Sequence, residues 1–534
     1  MAKSLTGKAK HHPPVWNPNI DGGRFCNPVL FMDYSDPDVI RKGSDFFMAA
    51  SSFSCFPGIP ILHSTDLVNW SLISHVFDEL PFGEYEAPAH GKGAWAPSIR
   101  YHNGEFWVYF ATPDEGIFMS KTSDPFKGWE PLIQVKKTKG WIDPCPFWDD
   151  DGNAYLIHAY ANSRIGIKSK LNLCRMKKDG TALEDDGEIV FDGTLNHPTI
   201  EGPKLYKKDG YYYIFAPAGG VKTGWQTVLR SKQIYGPYED KVVLHQGNTV
   251  INGPHQGGWV ELDSGESWFI HFQDRGAFGR VVQLQPVRWF DGWPLMGEDI
   301  NGDGIGEPVL HWEKPKTGAK EVKLPFDHGN DDFSSSDRLA LHWQWEANPK
   351  QEWYSLSASP GRLRLYSRGI AHPFKLSRLP NLLMQKFSGP SFTATVKLSL
   401  NALSETMMAG LAVMGREYAY LGFSKSENGY RLSVYEGRIE GDQEDVKTEE
   451  RGVHAEMVYL RVTVDEQAVC RFSCSMDRRH FTQIGNSFQA VPGLWTGAKA
   501  GVYCADTGGE DGQDGWCDIE WFSVEPAGGE CHER

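Results

Sequence analysis

The sequence lacks several features that would place it in other classes of protein. Its nine cysteines are an odd number and include no CxxC pair, so neither a zinc site nor a disulfide framework is expected. No run of about 18 apolar residues occurs, and no membrane-spanning helix is therefore predicted. The stretch MAKSLTGKAKHHPPVW at the start has no apolar segment typical of a signal peptide, which favours a cytoplasmic location.

Basic charge is also scarce. Lys and Arg number 54 against 69 Asp and Glu, and the formal net charge is −15. Because nucleic acids and anionic membranes both attract basic surfaces, neither is expected as a partner. Aromatic residues, in contrast, make up 13% of the chain and include 19 Trp. A sugar-binding cleft and a large β-sheet core would each explain this content.

A repeat organises the first part of the chain. Each copy has a head residue, a short strand, a turn with glycine and an aromatic-rich strand. The five heads are Asp36, Ala96, Asp143, Glu201 and His255, and the turn glycines are Gly43, Gly104, Gly152, Gly210 and Gly265. A four-stranded propeller blade needs roughly 40–60 residues. The spacing therefore predicts a five-bladed β-propeller over residues 1–320.

The repeat also predicts that distant acids converge. Blades are arranged radially, so equivalent residues of the innermost strands meet around one axis. Asp36, Ala96, Asp143, Glu201 and His255 are therefore expected to line one depression, where three carboxylates and a histidine converge. Asp-Pro or Glu-Gly-Pro alone could be turn chemistry. Three acids at equivalent places would repel one another and cost stability, which favours a functional purpose.

The pattern changes after residue 309. Residues 311–325 are polar, charged and rich in turn residues, which is typical of a linker. Many short strands with alternating apolar and polar residues follow, and they predict an antiparallel β-sandwich over residues 321–534. The fold class is accordingly all-β.

The stretch DINGDGIGE over residues 299–307 resembles the first half of an EF-hand loop. Leu310 stands where the bidentate acid would be needed, which excludes a complete EF-hand. A surface turn and a weak Ca²⁺ site are the two alternatives, and the turn is favoured.

The repeat motifs resemble those of glycoside hydrolase family 43. They include NPVLFMDYSDPDVIRKGSDFFMAASSF (27–53), GAWAPSIRYHNGEFWVYF (93–110), IDPCPFWDDDG (142–152) and IEGPKLYKKDGYYY (200–213), in the family's order. The resemblance implies a five-bladed propeller that hydrolyses a pentoside with inversion. The second half resembles the concanavalin-like sandwich of the β-xylosidase and α-L-arabinofuranosidase type.

The resemblance implies roles for three carboxylates. Asp36 matches the general base, Glu201 the general acid, and Asp143 the third carboxylate, which orients the acid and tunes its pKa. Inverting hydrolysis requires an acid at the leaving oxygen and a base at a water on the opposite face, about 6.5–9.5 Å apart. Glu201 must therefore stay protonated near neutral pH, and a nearby ionised Asp143 together with burial would raise its pKa.

Four further residues are candidates for substrate contacts. Trp95 and Arg280 match sugar-contacting positions of the family, and Phe53 is a candidate apolar wall, although core or ion-pair roles stay open for all three. His255 resembles a histidine beneath the pocket that in many relatives faces a central water or Ca²⁺. The sequence around it, PHQGG, differs from the commoner GHG. A metal contact through water and a place in the buried core are therefore alternative roles for His255. No cofactor is expected to be required.

We predict an exo-acting, inverting glycosidase that releases a terminal pentose from xylo-oligosaccharides or arabinoxylan fragments. A β-1,4-xylosidase is favoured, and an α-L-arabinofuranosidase is the close alternative. A non-catalytic carbohydrate-binding propeller and an endo-arabinanase are more distant ones. The sandwich is interpreted as a lid, a sugar-binding module or a contact in a homo-oligomer. In some relatives a sandwich loop gives the pocket an aromatic residue, and the candidate here is the loop 506–516 with Trp516.

Overall fold

The structure, a computed structural model, describes residues 14–319, 329–335, 337–400, 402–509 and 515–527. It confirms the predicted all-β fold, a five-bladed propeller followed by an antiparallel sandwich. The predicted boundary between residues 320 and 321 lies outside the described residues and stays a prediction. Within those ranges, no helix has the length and apolar character needed to cross a membrane.

Each propeller blade is a sheet of four antiparallel strands joined in chain order. The strands of blades 1 and 2 are Asp38–Lys42, Asp45–Ala49, Gly58–Ser64 and Ser71–Phe77, then Trp95–His102, Glu105–Thr112, Gly116–Thr122 and Ile133–Lys137. Blade 3 has Trp141–Trp148, Ala154–Tyr160, Lys170–Met176 and Glu188–Asp192, and blade 4 has Lys204–Lys208, Tyr211–Ala218, Trp225–Ser231 and Glu239–His245. Blade 5 has His255–Glu261, Ser267–Asp274, Arg280–Phe290 and Trp293–Met296.

The turn glycines found in the sequence join the first two strands of every blade. All five have a φ between 62° and 86°, a region that residues with a Cβ rarely adopt. The second strand of each hairpin carries large apolar side chains that are buried between blades. The repeat seen in the sequence is therefore one hairpin per blade.

The first strands of the blades form the hub. Those of blades 1 and 2, 2 and 3, 3 and 4, and 5 and 1 contact one another. Buried polar groups link them: Arg100 donates to Asp38 at 2.6 Å and to the Cys145 thiol at 2.9 Å, and the Leu205 N–H donates to the same thiol at 3.4 Å. These bonds join blades 1 to 4 around the axis.

The start of the chain closes the ring. The buried Asn27 side chain donates to the Leu284 and Val309 carbonyls, both at 2.8 Å, and accepts from the Leu284 N–H. A small sheet joins strands Asn19–Ile20, Arg24–Cys26 and His311–Glu313. The beginning of the predicted linker is therefore a strand of the propeller domain.

The sandwich has two sheets of eight strands. The first contains Gln344–Trp345, Arg368–Gly369, Leu383–Lys386, Met407–Met414, Glu417–Ser426, Gly429–Arg438, Val446–Val453 and Lys499–Asp506. The second contains Tyr354–Ser355, Leu363–Tyr366, Phe392–Ser399, Met457–Val464, Val469–Ser475, Thr482–Gln483, Phe488–Gln489 and Trp516–Pro526. The short helical segments are Gly83–Glu86, Asn162–Ile165, Gly276–Phe278, Gln351–Trp353 and Leu376–Arg378.

The two domains share a buried polar interface. Lys499 of the sandwich forms an ion pair with Glu346 and donates to the Cys55 thiol of the propeller at 2.8 Å. Trp345 and Phe56 exchange both backbone hydrogen bonds, at 2.7 and 3.0 Å. These contacts hold one end of the sandwich against the propeller face that carries the heads of the blades.

Residues 299–307 form a turn stabilised by its own side chains. The Asp299 carboxylate accepts from the Gly302 and Gly304 N–H groups, and Asn301 accepts from the Asp303 N–H. Across the described part of the chain, no group of three or more His, Cys, Asp or Glu is placed to hold a metal ion. The hydrogen bonds are those of the surface turn that the sequence favoured.

Candidate active site

A pocket of about 120 Å³ opens at the hub. All five blades and one loop of the sandwich contribute to its walls. The structure brings all seven residues singled out in the sequence to this pocket: Asp36, Phe53, Trp95, Asp143, Glu201, His255 and Arg280. Convergence of these distant residues follows from the radial arrangement of the blades.

Left-handed backbone conformations aim residues at the hub. Asp36, Asp143, Gly202 and Gln256 have φ values of 54°, 58°, 57° and 38°. Asp143 and Gln256 also lie at β-bulges, which redirect side chains out of the regular alternation of a strand. Glu201 and His255 come one residue earlier than the left-handed residues of their blades, Gly202 and Gln256. The predicted alignment of heads is therefore shifted by one residue in blades 4 and 5.

Donors surround the carboxylate of Asp36. One oxygen accepts from the hydroxyls of Ser51 at 2.6 Å and Ser35 at 2.8 Å. The other accepts from the Arg280 guanidinium at 3.1 Å, and Arg280 also donates to Ser35. Hydrogen bonds from a cation and from two hydroxyls hold this carboxylate in one orientation. A general base must be held in this way next to the water that it deprotonates.

Glu201 is the most accessible of the three acids. Its side chain is 32% exposed, and His255 Nε2 lies 2.8 Å from its Oε1. His255 is itself buried, and its Nδ1 has no hydrogen-bond partner among the described residues. His255 is thus placed to orient Glu201 toward a ligand in the pocket.

Asp143 is the buried acid, with 2% of its surface exposed. Its Oδ2 accepts from the Gly202 N–H at 2.8 Å. Burial of the carboxyl and then the negative charge of Glu201 raise the pKa of Asp143 well above its ordinary value, while Lys204 acts in the opposite direction. The sequence led us to expect the raised pKa at Glu201. That expectation stays a prediction, whereas the shift at Asp143 follows from the withdrawal of its own carboxyl from water.

Aromatic rings form the walls. The Phe53 ring is buried and meets the Trp95 ring edge-on, with centroids 6.2 Å apart. The guanidinium of Arg280, which also lines the pocket, lies 4.7 Å from the centroid of the buried Phe272 ring. The pocket therefore combines apolar faces with carboxylates, the combination that binds a sugar ring and reacts at its polar edge.

The sequence analysis missed Trp495, the sandwich residue that lines the pocket. Its ring is 50% exposed and meets Trp95 edge-on at 5.9 Å. Trp516, the residue named as a candidate, instead packs against Arg364 at 4.5 Å. Residues 510–514 of the candidate loop lie outside the described residues. The sequence feature that could have indicated Trp495 is GLWTG over residues 493–497, in which a tryptophan lies between two glycines.

Asp33 connects this sandwich loop to the active-site arginine. Its buried carboxylate accepts from the Arg280 N–H at 2.9 Å and from the Gly497 N–H at 2.8 Å. The Ala498 N–H also donates to the Ala277 carbonyl at 2.7 Å. The loop that carries Trp495 is thus tied to the segment that precedes Arg280.

Comparison with known proteins agrees with this geometry. The sequence profile described as Glycosyl hydrolases family 43 matches residues 25–294, and that described as Beta xylosidase C-terminal Concanavalin A-like domain matches residues 330–525. A candidate β-xylosidase of Xylanibacter ruminicola is 41% identical, over 91% of this chain and 87% of that protein. A β-xylosidase of Formosa agariphila is 31% identical, over 98% and 93%.

Other relatives carry a different name or a solved structure. A protein of Bacteroides ovatus named as a non-reducing end α-L-arabinofuranosidase is 27% identical, over 95% of this chain and 96% of that one. A crystal structure of a family 43 protein from Bacillus licheniformis superimposes with a TM-score of 0.79 at 26% identity, over 94% of this chain and 99% of that one.

Proposed function

The chain belongs to glycosyl hydrolase family 43, and we propose that it releases terminal pentoses from xylo-oligosaccharides by inverting hydrolysis. The observation that supports this most strongly is the contrast between two carboxylates in one pocket. Asp36 is surrounded by donors, whereas Glu201 is accessible beside the buried Asp143. Such a pair separates the base from the acid, which is what glycoside hydrolysis needs.

The reaction follows from these roles. Glu201 donates a proton to the glycosidic oxygen as the bond from that oxygen to the anomeric carbon breaks. A water attacks the anomeric carbon from the opposite face and loses its proton to Asp36. The sugar leaves with inverted configuration, Glu201 ends ionised and Asp36 ends protonated. Arg280 holds Asp36 in place before the proton arrives.

The shape of the pocket supports cleavage at a chain end. Buried residues of the hub line it, and Trp495 of the sandwich adds a half-exposed ring to its lining. An internal sugar of a long chain would need an open groove on both sides. We therefore propose that the pocket takes one terminal residue and that the leaving sugars pass along Trp495.

β-Xylosidase is proposed as the main activity, with α-L-arabinofuranosidase activity as a second candidate. The Xylanibacter and Formosa relatives support the first, and the Bacteroides ovatus relative supports the second. A requirement for Ca²⁺ is not part of the proposal. His255 already pairs with Glu201, and a calcium site takes six to eight oxygen ligands.

A paired assay on 4-nitrophenyl β-D-xylopyranoside and 4-nitrophenyl α-L-arabinofuranoside, with and without a chelator, tests the proposal. We expect the xyloside to be the better substrate, the chelator to have no effect, and the first xylose released to be the α-anomer by NMR. Glu201→Gln and Asp36→Asn should each lower kcat about 10³-fold or more. Asp303→Asn in the surface turn is the matched control and should keep full activity. A β-anomeric product or an active Glu201→Gln variant would contradict the assigned mechanism.

A further inference from the structure

Gln256 lines the pocket, yet it has no part in the roles described so far. It is 5% exposed and is the extra residue of the β-bulge between His255 and Gly257. In a regular strand, neighbouring side chains point to opposite faces. The bulge and the left-handed φ of 38° bring Gln256 to the hub together with His255. This is the position in blade 5 that corresponds to Asp143 in blade 3.

Blade 4 leaves room for this side chain. Gly202 has a φ of 57°, and a Cβ on it would lie 2.7 Å from the Gln256 side-chain carbonyl. Any larger residue would therefore displace the amide. The Gly202 N–H donates to Asp143, so one glycine both contacts the acid and accommodates its neighbour.

The amide faces Asp143 with only one of its two polar atoms hydrogen-bonded. Its Nε2 lies 3.5 Å from Asp143 Oδ2, the outer limit of a hydrogen bond. Its Oε1 is buried and has no partner among the residues that the structure describes. Leaving a buried acceptor unpaired is costly unless a donor reaches it in another state of the site.

A protonated Asp143 would provide that donor. An ionised carboxylate only accepts hydrogen bonds, whereas a carboxylic acid also donates one. A glutamine amide can serve both, because it has a donor and an acceptor that exchange places when the amide turns by about 180°. Asparagine carries the same amide on a side chain that is one methylene shorter.

We propose that Gln256 is a positioning residue that keeps Asp143 hydrogen-bonded whether this carboxyl is ionised or protonated. With Asp143 ionised, Nε2 donates to Oδ2; with Asp143 protonated, the carboxyl O–H donates to Oε1. The amide thereby holds the Asp143 carboxyl at a constant place beside Glu201 while Glu201 gives up and regains its proton. This inference rests on the proposed function.

Three charged groups from two other blades act on Asp143, and a fourth titratable group contacts one of them. Glu201 and Lys204 are on blade 4, Asp36 is on blade 1, and His255 of blade 5 pairs with Glu201. The two acids favour the protonated form of Asp143, and Lys204 favours the ionised form. Gln256 is neutral, so it supports either form without adding charge to this group.

Kinetics of two variants over a range of pH test the proposal on the substrate that the wild type cleaves better. Gln256→Leu keeps the approximate volume but removes both hydrogen-bonding groups. We expect kcat to fall about 10- to 100-fold with KM changed less than about twofold, because the sugar contacts are retained. Gln256→Glu adds a carboxylate beside Asp143 and should move the basic limb of the kcat/KM profile to higher pH. Gln226→Leu is the matched control.

Gln226 resembles Gln256 because it is a buried glutamine whose Oε1 has no partner in the described part of the chain. It differs because its Nε2 donates to the Thr227 carbonyl and because it is not among the residues that line the pocket. The Gln226→Leu variant should keep kcat and the pH profile.

Unchanged kcat in Gln256→Leu, or equal losses of activity and thermal stability in the two leucine variants, overturns the positioning role of Gln256. If Gln256→Leu does not fold, an unmoved basic limb in Gln256→Glu overturns it. A wild type inactive on both pentosides overturns the proposed function as well, whereas normal Gln256 variants of an active enzyme overturn this role alone.

Discussion

Replacing Trp495 by alanine should weaken the reaction most for substrates with a leaving-group sugar. Trp495 is the pocket residue supplied by the sandwich, and half of its surface is free to be covered by a ligand. A 4-nitrophenyl glycoside has only a small aglycone, whereas xylotriose places two further sugars outside the terminal site. The expected effect therefore depends on the length of the substrate.

The structure sets the size of this effect. A tryptophan side chain can bury up to about 250 Å², so its exposed half offers about 125 Å². At about 25 cal/mol per Å², complete coverage would contribute about 3 kcal/mol, and a sugar stacked on one face about half of that. Since 1.4 kcal/mol corresponds to a factor of ten, kcat/KM for xylotriose should fall about tenfold.

Steady-state kinetics on xylotriose and on the aryl xyloside provide the assay. Trp516→Ala is the matched control, because it removes a tryptophan of the same domain that packs on Arg364 away from the pocket. We expect it to keep wild-type kinetics on both substrates. An unchanged kcat/KM for xylotriose in Trp495→Ala would refute the contact, and equal losses in both variants would show a general effect on the sandwich.

Two further predictions concern stability. Asp143→Asn should raise the melting temperature at pH 7, since the raised pKa of Asp143 means that the ionised carboxyl destabilises the folded state. Calorimetry should show that this gain in melting temperature shrinks as the pH falls toward about 3.9, the pKa of an Asp carboxyl in the unfolded chain. A variant that is less stable than the wild type at pH 7 would contradict the predicted direction. Lys499→Met should destabilise the protein by about 3–5 kcal/mol because it removes the lysine that pairs with the buried Glu346 and leaves only His90, at 3.9 Å, near that carboxylate. The double variant Lys499→Met with Glu346→Leu should recover most of the loss in the same scans, and a double variant as unstable as the single one would refute this account.

The sequence predicted the features that repeat and are local. Gly43 and its four counterparts marked one hairpin per blade, and radial symmetry then brought Asp36, Asp143 and Glu201 together without any knowledge of side-chain contacts. The sandwich was predictable from alternation in strands such as Phe392–Ser399, although the pattern did not reveal the highly charged strand Val446–Val453.

Features that depend on the fit between elements were not predictable. Trp495 reaches the pocket only because of how the sandwich docks on the propeller, and no periodicity in either domain encodes that orientation. The β-bulge at Gln256 shifts His255 by one residue, which the aligned repeats could not show. The raised pKa of Asp143 was not predictable because burial depends on neighbours far apart in the chain.

The carboxylate of Asp33 has a consequence for protein engineering. One of its oxygens holds the backbone of Arg280, and the other holds the loop of the second domain. A propeller fused to an unrelated module would keep all three acids, but the Asp33 carboxylate would lose the hydrogen bond from the Gly497 N–H. Chimeras within this architecture should therefore exchange both domains together, and libraries that recombine them at the junction should yield folded but catalytically weak proteins.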